Sequence, residues 1–175
     1  MSAAQAPSAQ GSPFWQFSLR FYRQPQVADT CIALQEERGV DVNLLLFLLW
    51  QATRKRAFTA AEVAEIERRV GAWREMTVIP LRTLRRALKS PPPLVAGAAA
   101  ELFRTKVKAV ELEAERLQQE ALYALAASGK LGRAEASQVQ AAQDSISSYQ
   151  GVIGPFPPGP LETVLAAFAK FEASP

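Results

Sequence analysis

The chain has 175 residues, enough for one domain with a sizeable core, and its 49 % apolar and 21 % charged content is that of a globular protein. It contains no histidine and one cysteine, Cys31, which excludes the usual zinc sites, a Ser–His–Asp or Cys–His nucleophile and an intramolecular disulfide. The net charge is +3, but residues 54–100 carry ten basic and four acidic side chains, while 1–53, 101–120 and 121–175 each stand at −1.

Residues 1–12 are small, polar and uncharged, and read as a disordered tail. They show no basic region followed by an apolar one, as a secretory signal would. Ser12 and Pro13 suit the N-cap and first position of a helix. Phe14, Trp15, Phe17, Leu19 and Phe21 load that helix with apolar, mostly aromatic area, which reads as core rather than as a ligand cage. Pro25 is expected to open a second helix, with Val27, Cys31 and Leu34 on one face and Gly39 as its C-terminal stop.

Asp41 is a plausible N-cap for a third helix. Residues 42–50 are apolar almost all round, which predicts a central, buried helix. The apolar run at 44–50 has seven residues, far short of the about 20 that span a bilayer, so no membrane partner is expected and the reading is cytoplasmic.

Thr59 and Glu62 form a capping box. Val63, Ile66, Val70 and Trp73 then mark an amphipathic helix. A break or kink is expected near 77–80, because Pro80 lacks an amide proton. A further helix follows to about Lys89, with Leu81, Leu84 and Leu88 on one face, and Pro91, Pro92 and Pro93 end it.

The longest helix is predicted over 95–127. Phe103, Val107, Val110, Ala114, Leu117, Ala121 and Ala124 alternate at spacings of 4 and 3, as a bundle seam would. Ser128 and Gly129 are placed to close it. Beyond residue 130, Val139, Ala142, Ile146 and Tyr149 suggest one more helix. A proline-rich linker at 151–160 and a terminal helix marked by Leu161, Val164, Leu165, Phe168 and Phe171 complete the chain. That last helix either docks on the bundle or lies loose.

The expected fold is all-α: a single bundle of about six or seven helices around a buried apolar one. Residues 1–12 are the tail, 13–129 the bundle and 130–175 a C-terminal extension.

Several stretches carry a resemblance. FWxFSLxxY at 14–22, VxxxCxxLQ at 27–35, GVDVNLLLFLLW at 39–50 and WREMTVIPLRxLRRxLK at 73–89 resemble an uncharacterised bacterial family, a domain of unknown function. The resemblance spans roughly 14–125. It implies no activity, so function must be read from residues.

The basic cluster is the main functional signal. Arg82, Arg85, Arg86 and Lys89 are expected to share a broad face of the helix after Pro80, with Arg74 and then Arg54, Lys55 and Arg56 as further contributors to the field. Guanidinium forks suit carboxylate and phosphate groups. The expected role is non-enzymatic docking of an acidic protein partner, with nucleic acid as the alternative. Against it stands a plain solvated face, partly neutralised by Glu62, Glu65, Glu67 and the acidic long helix.

No catalytic set is recognisable, and no metal or cofactor is expected. Asp29, Asp41 and Asp144 are too scattered for a magnesium–diphosphate site. An enzyme built on carboxylates, lysine and arginine remains the third reading. Asp41, Asn43 and Gln35 read as capping and internal hydrogen bonding rather than as an anion pocket.

Overall fold

The computed structural model describes residues 11–95, 97–127, 129 and 131–172. Most of the expected tail, 1–10, lies outside them, as does Ser128. The described residues are almost wholly helical: α1 (Pro13–Tyr22), α2 (Val27–Arg38), α3 (Val42–Ala52), α4 (Ala60–Trp73), α5 (Ile79–Ala87), α6 (Gly97–Ala127), α7 (Gln138–Ile153) and α8 (Pro158–Glu172). A π-helical turn, Arg74–Val78, joins α4 to α5 without a break, so these eight helices form seven rods. Two-residue strands β1 (Arg56–Ala57) and β2 (Arg133–Ala134) pair antiparallel, with Arg56 opposite Ala134. The chain divides into two compact units, 67–118 and the remainder, with the boundaries inside α4 and α6.

The first unit is organised by α3. Residues 43–52 of this helix are all buried. Such a helix needs apolar cover on every side, and each buried leucine contributes about 1.5–3 kcal/mol. α1, α2, α7 and β1 supply that cover. Phe14 stacks on Trp50 at 5.3 Å between ring centroids and meets Phe47 edge-on at 5.6 Å. Phe14, Phe17 and Phe21 of α1 are therefore core, as expected, while Trp15 and Tyr22 are half-buried. The Asp41 carboxylate accepts from the N–H groups of Asn43 and Leu44, and so caps α3. The Asp41 N–H in turn donates to the Tyr149 hydroxyl at 2.9 Å, which fastens α7 to the start of α3.

α2 begins at Val27 rather than Pro25. Gln26 takes a left-handed conformation before it, and Pro25 lies in the turn. Its expected face is buried through Val27, Cys31 and Leu34, and Gly39 stops it with φ 66°. α8 docks rather than lying loose. It packs on α2, Phe168 is fully buried, and Phe171 meets Phe17 and Phe21 edge-on. The linker before it is shorter than its prolines suggest, only residues 154–157, because α7 runs on to Ile153 and α8 takes Pro158 into its first turn.

The capping box forms as expected, and it does more than start α4. Glu62 accepts from the Thr59 N–H at 2.8 Å with one oxygen and from the Gly132 N–H at 2.9 Å with the other. Gly132 sits at φ 70°, and a Cβ there would lie 2.8 Å from the Ala57 carbonyl, so the approach of the β2 strand requires glycine.

Pro80 does not break the helix. The preceding turn widens instead, so that the Ile79 N–H reaches the Arg74 carbonyl. The Thr77 hydroxyl donates to the Trp73 carbonyl at 2.6 Å. A π turn is the local adjustment that absorbs a missing donor while the rod continues.

The seam of α6 differs from its apolar spacing. Val107 and Ala114 are buried, but Phe103, Val110, Leu117, Ala121 and Ala124 are exposed. The buried line runs through Ala100, Val107, Glu111, Ala114, Gln118 and Leu122. Apolar periodicity misplaces it because two of these six residues, Glu111 and Gln118, are polar and two more are alanine.

Replacing Asp41 by Ala should cost about 1–2 kcal/mol of unfolding free energy, as loss of a helix cap does. Tyr149→Phe should cost about 1–3 kcal/mol by leaving the buried Asp41 N–H unpaired. Urea titration followed by circular dichroism measures both.

Candidate interaction surface

The second unit, 67–118, holds eleven basic and six acidic side chains, a net +5. It contains all five residues of the expected basic face. The structure does not present them as one surface. Arg74 pairs with Glu67 at 2.6 Å. Arg82 donates from Nε to Glu111 at 3.0 Å and from a terminal nitrogen to Glu115 at 2.6 Å. Arg85 forks onto both oxygens of Glu111, the second contact at 3.1 Å. Arg86 and Lys89 are exposed.

Glu111 is the centre of this network, its side chain only 6 % exposed. Burial pushes its carboxyl up, but the hydrogen bonds from Arg85 and Arg82 outweigh that, and the group is held below its ordinary 4.5. Arg85 is correspondingly raised, chiefly by its hydrogen bonding to Glu111. A buried carboxylate is tolerable only with such partners, because an unpaired one is costly to desolvate. α5 is thereby held on α6 by charge, and none of its own residues is buried. The Trp73 indole N–H adds a bond to the Ala114 carbonyl at 3.0 Å, holding the end of α4 on the same helix.

Glu111 is the side chain that sequence reasoning did not single out within the acidic long helix. The signal was present: arginines three apart at 82 and 85 face carboxylates four apart at 111 and 115. Of the acidic residues expected to temper the cluster, Glu67 and the long helix do so, whereas Glu62 is engaged by Thr59 and Gly132.

With Arg82 and Arg85 turned inward, α5 leaves Ile79 and Leu84 44 % and 42 % exposed, and Arg86, with Lys89 just past the helix end, is exposed as well. Met76, in the π turn before it, is 69 % exposed.

Residues 13–122 match the family described as protein of unknown function (DUF2390). The chain belongs to that family. The matched region runs from the start of α1 nearly to the end of α6 and includes the whole Glu111 network. No curated protein and no solved structure matches the chain. α7 and α8 lie beyond the DUF2390 match, although they complete the cover of α3 and α2 in the first unit.

The other candidate groups are structural in their placement. Cys31 is fully buried, and burial alone pushes its thiol up to about 12, so it stays protonated and unreactive at neutral pH. Asp41 caps α3, and Asn43 accepts from the Gln119 side chain at 2.8 Å. Gln35, half-buried, takes part in the end of α2, where its carbonyl accepts from the Gly39 N–H. Among the described residues, no group of three or more Cys, Asp or Glu is placed to hold a metal ion. No helix among them is long and apolar enough to cross a membrane.

The depressed Glu111 pKa gives stability that is fully present above 4.5 and lost as pH falls through the lower folded value. Glu111→Gln should therefore cost about 3 kcal/mol at neutral pH, as breaking a buried pair does. The gap to wild type should close as pH drops below 4.5, while Glu62, lowered in both proteins, cancels in the comparison. Chemical denaturation at stepped pH reads this directly.

Proposed function

We propose that this member of the DUF2390 family is a non-enzymatic interaction protein of the cytoplasm that docks an acidic protein partner on the second unit through α5. One observation carries the reading. α5 has no buried residue and exposes Ile79, Leu84 and Arg86, with Lys89 exposed just past its end, on a unit of net charge +5. Exposed apolar side chains rimmed by charge of one sign fit a partner with apolar contacts and the opposite sign. Arg74, Arg82 and Arg85 then serve to position the helix, while Arg86 and Lys89 face the partner. The cytoplasmic placement rests on the lone buried cysteine, which suits a reducing compartment.

Nucleic acid is the weaker reading of the same face. Arg74, Arg82 and Arg85 already answer to carboxylates, which leaves few phosphate contacts and little counterion release.

The test is affinity purification from the native cell with wild-type bait and with the double variant Arg86→Glu, Lys89→Glu, under nuclease treatment. The variant should keep its thermal midpoint, since both side chains are exposed, and should lose a defined acidic protein that wild type retains. Retention of the same partners by the variant would overturn the reading. Capture that disappears with nuclease assigns the face to nucleic acid instead.

A further inference from the structure

α6 carries two different lines of side chains. One faces inward through Val107, Glu111 and Ala114. The other is exposed: Phe103, Val110 and Leu117 recur every seven residues and stand 51, 54 and 42 % exposed, with Leu102 beside them at 70 %. Lys106 and Glu113, also seven apart and exposed, lie within the same strip. At about 100° per residue these six positions cover about 100° of the helix surface. A large apolar residue every seventh position supplies one of the two seam positions of a paired helix, and Lys106 and Glu113 stand at the other.

We propose that this strip of α6 pairs with the same strip of a second copy of the chain, antiparallel, about a two-fold axis at Val110. A two-fold contact must be self-complementary. Antiparallel pairing about Val110 sets Phe103 of one copy against Leu117 of the other and places the two Val110 side chains on the axis. It also brings Lys106 of each copy to within one residue of Glu113 of the other, so opposite charges meet twice. A parallel pair would put Lys106 on Lys106 and Glu113 on Glu113, and the repulsion rejects it. Glu113 is held by Arg116 at 2.6 Å but remains 53 % exposed, so its carboxylate is reachable.

The strip is distinct from the face that holds α5. Glu111 and Glu115, which take Arg82 and Arg85, lie about 100–140° round the helix from Val110. Self-association therefore leaves α5 available and does not depend on the acidic-partner reading.

Sedimentation equilibrium of the full chain from low to high micromolar concentration tests the pairing. Wild type should show a monomer–dimer equilibrium, and Val110→Lys should be monomeric. Lys106→Glu and Glu113→Lys should each raise the dimer dissociation constant about tenfold or more, and the double reversal should restore it. Circular dichroism should find all four variants folded, because the substituted side chains are exposed. A wild-type chain that stays monomeric throughout overturns the proposal. So does a dimer that single reversals do not weaken, or that the double reversal does not rescue.

Discussion

A helix that is apolar all round cannot lie on a surface, and most of the first unit follows from that constraint on α3. Ten consecutive residues of it are buried, so neighbours must approach from every side. α1 brings Phe14, β1 leads into Phe58, and α7 brings Ile146 and Tyr149, each buried. The few polar groups at α3 are then the dangerous ones, because no water reaches them. Asp41 answers two of the free amides at the helix start, and the Tyr149 hydroxyl answers the amide of Asp41 itself. Gln119 donates to Asn43. Burial and polar satisfaction thus select the same neighbours, which is what makes one arrangement preferred over looser ones.

The second unit is held by a different balance. It has few large buried side chains, and α5 has none. A half-buried arginine pair closes on one buried carboxylate, with Glu115 taking the remaining reach of Arg82. Such a network adds less net stability than an apolar core of the same size, but it is exacting about geometry. Two guanidinium forks fix the register of α5 on α6, and the π turn lets the α4–α5 rod continue past Pro80 into that register. α5 and α6 are left with exposed apolar residues, among them Ile79, Leu84, Phe103 and Val110.

Membership of DUF2390 gives the chain relatives but no chemistry. What the structure adds is a division of labour within a basic cluster that looks uniform in sequence. Arginines that seemed available for a ligand are engaged in holding a helix. Arg86, Lys89, Ile79 and Leu84 are exposed. On α6, Phe103, Val110 and Leu117 are exposed together with Lys106 and Glu113.

The helices were legible in the sequence because their signals are local. Ser12, Asp41, Thr59 with Glu62, and Gly39 each act within a turn of their own position, and all four serve as their chemistry implies. The burial of α3 was equally plain, since no face of it is polar. The start of α2 was not, because Gln26 in a left-handed turn carries no side-chain signal. The seam of α6 depended on distant partners: Glu111 is buried only because Arg82 and Arg85, 26 to 29 residues away in sequence, arrive to neutralise it. Likewise, Pro80 predicts a lost hydrogen bond, but only the assembled rod shows whether the chain breaks there or widens by one residue. Sequence alone determined the all-helical class and the caps, because those follow from backbone geometry over a few residues. Tertiary structure decided which charges are buried and which apolar residues are left outside, because a side chain's environment is set by what packs over it.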